Sequence, residues 1–230
     1  MAMLDARAAA QLKEAFADLD RDVELVVYTG GRVVVPGRDE PEHQAELLEL
    51  LREVVALHDR LTVIERPLAG DEEAAAAGIE HAPTTVLREK GGDRTNIRFL
   101  GLPSGYEFMT LVQGIHMLGT GTAEVSEAIR TELAALERPV KLQTFVTPGC
   151  PYCPRAVLTG FRFAFHAPNV IAEGIEATGF PNLANSFRIS SVPDTMVHGE
   201  GRQRVLGAQP DRMFLEAIRE VAGPAVAPQA

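Results

Sequence analysis

The sequence holds only two cysteines, at positions 150 and 153, and no tryptophan. A secreted scaffold held by disulfides usually carries several cysteines, spread out to staple loops. Here both lie within four residues, so a disulfide between them closes almost no loop and restricts the unfolded chain very little. That counts against a structural role. Apolar runs are scarce as well: none approaches the roughly 20 residues that a membrane-spanning helix needs. Basic residues are outnumbered, 22 Lys and Arg against 32 Asp and Glu, for a formal net charge of -10. Phosphate binding runs on Lys and Arg, so neither nucleic acid nor an anionic membrane is the expected partner. The N-terminus, MAMLDARAAAQLKEAF, reads as an amphipathic helix without the basic start and uninterrupted apolar core of a secretory signal. A cytoplasmic protein is expected.

What remains is an ordinary globular composition, 46% apolar and 23% charged over 230 residues. It suffices for one large domain or two small ones with real cores. In the first half, apolar spacing predicts helices over 4–19, 42–58 and 104–118 and a short one near 71–77. Short Val/Ile/Thr runs predict strands over 23–30, 61–65, 84–87 and 96–100. GTGT at 119–122 marks a boundary, with glycine ending one helix and threonine available to cap the next. The second half follows the same order: a helix over 123–136, a strand at 140–147, a helix running to about 165 and a strand at 171–177. A short helix at 182–187, a hairpin of 195–198 with 204–206, a helix at 211–221 and a loose tail complete it. HAPTTVL in the first half answers SVPDTMV in the second. A repeat of about 110 residues makes this a tandem α/β protein, with units at 1–120 and 121–230, each a central mixed sheet flanked by helices.

The chemistry concentrates in Thr147-Pro148-Gly149-Cys150-Pro151-Tyr152-Cys153-Pro154, between a predicted strand and a predicted helix. This setting puts Cys150 at, or just before, a helix N-terminus, where unpaired backbone N–H groups favour negative charge. Its thiol pKa is expected below the free value of about 8.5. Cys150 is then the attacking thiolate, and Cys153, one helical turn later, resolves the mixed disulfide. Pro151 and Pro154 cost little in a first helical turn and stiffen the loop. Tyr152 stands between the thiols, partly exposed, and Arg155 could add a minor favourable charge. The alternative is a zinc half-site, but tetrahedral zinc needs about four ligands. No second cysteine pair exists, and the histidines are scattered at 43, 58, 81, 116, 166 and 198. An inert buried pair leaves the proline-rich setting unexplained. The redox reading is preferred, with neither metal nor cofactor.

Val192-Pro193 is the second position of interest, because proline is unwelcome just before a strand. A cis peptide there would make a tight turn and leave the Val192 backbone able to pair with an extended substrate chain. Asp194 follows. Near the dithiol it would raise the thiolate pKa by like-charge repulsion, but the preferred reading is a solvated turn residue.

TFVTPGCPYCPRAV, SVPDTMV and GAQPDRMFLEAI together resemble the C-terminal unit of the glutaredoxin-like protein disulfide oxidoreductases, which carry two tandem thioredoxin folds. The arrangement is also similar to the N-terminal region of the alkyl hydroperoxide reductase flavoprotein. The resemblance implies that Cys150 is the nucleophile, Cys153 the resolving cysteine, Pro193 the cis-proline opposite them and Pro83 its counterpart in the first unit. It implies protein disulfides as substrates, a thioredoxin-reductase-like flavoenzyme as electron donor, and a peroxiredoxin as an alternative acceptor. Two departures stand out. The first unit has TGGRVVVPG, residues 29–37, where many such proteins carry a second C-x-x-C. And Thr144, six before Cys150, occupies the place of the buried acid that assists proton transfer in thioredoxins, so any proton shuttle comes from elsewhere. Glutathione-dependent activity would need a cationic pocket, for which only Arg155 and Arg188 are in plausible neighbourhoods. A scaffold that merely kept the fold is the non-enzyme alternative.

Overall fold

A computed structural model describes residues 3–31, 39 and 43–223. Of the expected loose tail, residues 222–230, Ala222 is instead the last residue of a helix, and 224–230 lie outside the described residues, as does most of the 29–37 segment. The first unit runs α1 (Ala6–Ala15), β1 (Val23–Thr29), α2 (Gln44–Val55), β2 (Leu61–Pro67), α3 (Glu72–Ala76), β3 (Thr84–Glu89), β4 (Ile97–Leu100) and α4 (Glu107–Thr120). The second runs α5 (Glu127–Ala134), β5 (Val140–Val146), α6 (Cys153–His166), β6 (Val170–Glu176), α7 (Pro181–Ser186), β7 (Asp194–His198), β8 (Arg202–Leu206) and α8 (Asp211–Ala222).

Local chemistry explains most of the boundaries. Asp5, Asp71 and Ser126 cap α1, α3 and α5 by accepting from backbone N–H groups three residues on. The cap of α5 is thus Ser126 rather than a threonine of GTGT, and residues 123–126 are not helical. Gly121 ends α4 in the left-handed conformation, at φ 64°, where a Cβ would be strained. In α6, Cys153, Ala156, Val157, Gly160, Phe161 and Ala164 are all buried. Their spacing of three and four places them on one stripe.

The strands form one eight-stranded sheet in the order β2-β1-β3-β4-β6-β5-β7-β8. Within each unit the pattern repeats. β1 pairs parallel with β2 and antiparallel with β3, as β5 does with β6 and β7. The units join where β4 pairs parallel with β6, from Ile97 opposite Ala172 to Leu100 opposite Ile175. Gly174 lies in this seam because a Cβ there would stand 2.8 Å from Phe99 and 2.9 Å from Val157. The Asn96 amide ties the seam further, donating to the carbonyls of Ala164 at 2.8 Å and Val170 at 2.9 Å.

One continuous apolar core spans both units under α2, α4, α6 and α8. Short α3 and α7 cover the opposite face over two smaller clusters. Strand alternation makes this division: Leu142, Val146 and Val197 face the large core, while Phe145 and Met196 face α7.

Candidate redox site

β5 delivers the chain to Thr147, and a turn closed by the Cys150 N–H donating to the Thr147 carbonyl at 3.1 Å sets the first cysteine. Helix α6 begins at Cys153, with Pro154 in its first turn, where the missing N–H leaves no partner unserved. Cys150 therefore lies three residues ahead of the helix rather than at its first residue. The two cysteines are joined in a disulfide with Cα atoms 5.5 Å apart, within the span such bonds require. Their environments differ: Cys153 is fully buried, whereas Cys150 is half-buried at the surface. The sulfur a substrate can reach is that of Cys150.

The Val192–Pro193 peptide is cis, as is Ala82–Pro83 in the first unit. The Cys150 Sγ stands 3.8 Å from the Val192 carbonyl oxygen, so the two stretches singled out in the sequence meet in space. Pro151 and Arg155 are exposed beside the disulfide, and Tyr152 is 70% exposed. Arg188 follows α7, on the face of the sheet opposite α6, so it and Arg155 do not form one cationic pocket.

Asp194 is not a solvated turn residue. It opens β7 with 1% exposure, and burial raises its carboxyl pKa, against the lowering effect of Arg204 at 3.6 Å. It shares its face of β7 with Met196, under α7, whereas Thr195 and Val197 point toward α6. Alternation along the strand turns Asp194 away from the dithiol.

Thr144 does point toward α6. Its hydroxyl meets that of Thr195 at 3.0 Å in a buried pair. A buried acid is found instead in the first unit. Glu107, the first residue of α4, has no exposed surface, and burial pushes its carboxyl pKa up to about 7. The Thr110 hydroxyl donates to its Oε2 at 2.7 Å, while Oε1 is buried without a partner.

The start of α4 is held against the active-site loop. The Tyr106 N–H donates to the Pro148 carbonyl at 3.0 Å, and Gly105, at φ 59°, leaves no room for a Cβ beside that carbonyl. Farther along, Gly114 abuts Phe161. Helix α4 thus packs against α6, with its start bonded to the active-site loop. The sequence offered only an acidic residue in a first helical turn, which reads as an ordinary partner for the helix dipole. Among the described residues no cluster of three or more His, Cys, Asp or Glu could hold a metal ion.

The fold and this site define a thioredoxin-fold protein with a redox-active cysteine pair, the class that performs thiol–disulfide exchange. Comparison with known proteins agrees: residues 140–220 match the family model described as thioredoxin domain. Among curated relatives, the chain is 27% identical over 198 residues to the alkyl hydroperoxide reductase AhpF of Pseudomonas aeruginosa, covering 86% of this chain and 34% of that protein. It is 28% identical over 217 residues to the Pseudomonas putida counterpart, covering 94% and 36%. The chain thus spans about a third of the length of the curated relatives it matches. Among solved structures, AhpF of Enterococcus faecalis (C503A mutant) superposes with a TM-score of 0.82 at 28% identity, over 94% of this chain and 99% of that one. A protein disulfide oxidoreductase from Aeropyrum pernix superposes with a TM-score of 0.81 at 24% identity, over 97% and 95%. The latter likeness establishes the fold.

Proposed function

We propose that this protein reduces or exchanges protein disulfides through Cys150 and Cys153. The observation that carries the reading is the half-exposed Cys150 beside the cis Val192–Pro193 turn, bonded to a fully buried Cys153. In the reducing direction, the Cys150 thiolate attacks one sulfur of a substrate disulfide and expels the other as a thiolate. The Cys153 thiol then gives its proton to the Glu107 carboxylate and attacks Cys150, releasing the second substrate thiolate. The dithiol loses two electrons and the substrate gains them. Glu107, with a pKa of about 7, is suited to accept and return that proton near neutral pH.

In this reading residues 1–120 form a unit without redox cysteines and residues 121–230 the redox unit. Tyr152, Pro151, Val192, Pro193 and Arg155 frame the contact with substrate, with Arg155 a minor contributor. A thioredoxin-reductase-like flavoenzyme supplies the electrons, and the cytoplasm is the location. A second reading, delivery of electrons to a peroxiredoxin-type peroxidase, is favoured by the similarity to the alkyl hydroperoxide reductase AhpF together with the single dithiol in two units.

The deciding measurement is the reduction potential of the Cys150/Cys153 pair, equilibrated against glutathione or dithiothreitol. A value near about -250 mV or lower supports the reductant and carrier roles, and one above about -180 mV an oxidant or isomerase. A pair that forms no reversible disulfide at any poise would overturn the proposal and leave the scaffold.

A further inference from the structure

The face of the sheet opposite the dithiol carries a feature the redox chemistry does not use. Between α3 and α7 lies a cavity of about 370 Å³, within the range of small-molecule sites. Its floor is polar, where a sheet face beneath helices is ordinarily apolar. Lys141 on β5 stands opposite His198 on β7, and His198 stands opposite Arg202 on β8. The three side chains therefore line up across three neighbouring strands on one face, and all three line the cavity. Directly opposed side chains lie about 5 Å apart at Cβ, and like charges so placed repel.

This row lacks a matching negative charge. The one buried carboxylate on the floor, Glu173, is shared. It accepts from Arg98 at 3.0 Å and from Gln143 at 2.9 Å, and Lys141 approaches it at 3.4 Å. Arg98 is itself fully buried, so one carboxylate faces two cations. Arg202 lies over the Phe187 ring, 5.4 Å from its centroid. His198 packs edge-on against the same ring, and its Nε2 is buried without a hydrogen-bond partner. Burial first, then Arg202 and Lys141, lower the His198 pKa against the raising effect of Glu173, which favours a neutral ring able to donate one hydrogen bond. Two further acids stand by: Glu80 on the exposed rim of the cavity, and Asp39, which accepts from the backbone N–H groups of Asn182 and Leu183 at the start of α7. The remaining walls are apolar, from Ile79, Leu100, Leu183 and Phe187.

We propose that this cavity binds a small organic anion, a carboxylate with a short apolar body. The carboxylate sits over Lys141, His198 and Arg202, and the body lies against Phe187, Leu183 and Ile79. Such a ligand places negative charge where three basic side chains converge and buries apolar walls a purely inorganic anion would leave wet. Both units contribute, Ile79 and Leu100 from the first and the row from the second, so the site exists only because their sheets are joined.

The test uses the full chain, with saturation-transfer NMR and calorimetry on benzoate and the straight-chain carboxylates from butyrate to octanoate. The matching uncharged amides and inorganic phosphate are the controls. The proposal expects saturable binding of one or more carboxylates, with a shift of the His198 ring protons. Affinity should fall at least tenfold in Arg202→Gln, an exposed change on an edge strand, and in Lys141→Met, both of which should retain the Cys150/Cys153 potential. Amides or phosphate binding as tightly as the carboxylates would overturn it. So would affinity unchanged in Arg202→Gln, or no saturable binding of any probe.

Discussion

The two units share a plan and differ in what sits at its centre. Each has a strand paired parallel on one side and antiparallel on the other, and each has a cis-proline before its antiparallel strand. In each a glycine N–H donates back to that proline's carbonyl, Gly101 to Pro83 at 2.9 Å and Gly207 to Pro193 at 2.8 Å. Beneath the prolines they diverge. In the second unit Thr195 pairs its hydroxyl with Thr144. In the first, the corresponding Thr85 faces Val27 across the strands and its hydroxyl is buried without a partner. Six residues separate β5 from α6, and they hold the first cysteine; fourteen separate β1 from α2, and they hold none. One copy of a fold can thus keep the backbone frame and lose the chemistry.

The largest expected effect tests that asymmetry directly. Cys150→Ser should abolish reduction of a model protein disulfide, because no thiol in the first unit can substitute. Cys153→Ser should instead accumulate mixed disulfides visible on a non-reducing gel. Residual turnover in Cys150→Ser would break the comparison.

Next comes the seam. Arg98 is fully buried and ion-paired with Glu173 across the two units. Arg98→Ala leaves that carboxylate without its strongest partner and should cost about 3–5 kcal/mol in denaturant unfolding. A single cooperative transition is expected, given the continuous core; two separate transitions would show the units folding independently.

Glu107 gives a sharper, pH-dependent difference. Its folded pKa is raised, so between the unfolded value of 4.5 and about 7 the folded state holds the proton more tightly. Stability contributed by the protonated form is therefore present below pH 4.5 and lost as pH rises through 7, by on the order of 3 kcal/mol. Glu107→Gln should flatten this slope in chemical denaturation at several pH values. It should also slow resolution of the mixed disulfide about 100-fold near pH 7. An unaltered rate with a flattened slope would leave Glu107 a structural residue only. The smallest effect is expected at the start of the second unit, where Ser126→Ala removes an exposed helix cap and should cost about 1 kcal/mol by thermal melting.

The dithiol was legible because its signals are local. Cysteine spacing, the neighbouring prolines and a strand running into a helix all lie within one short stretch. The tandem order was legible for the same reason, as apolar periodicity repeated twice. Glu107 was not, because in sequence it is one acid among 32; only the packing of α4 along α6 removes its water. Asp194 was misread because a residue after proline at a strand's edge resembles a turn residue, and its burial depends on α7 closing over that face.

The sequence by itself determined which segments become helices and strands, where the cysteine pair sits, and that only one of two similar units carries it. These follow from short-range periodicity, capping and residue chemistry. The tertiary structure alone decided that β4 pairs with β6 to make one sheet, that Glu107 is buried at the start of α4, which packs against α6, and that Lys141, His198 and Arg202 form a row. Those outcomes depend on strand register and helix packing between segments far apart in the chain. Hydrogen bonds between strands and apolar burial set them, and neither leaves a mark on any single residue.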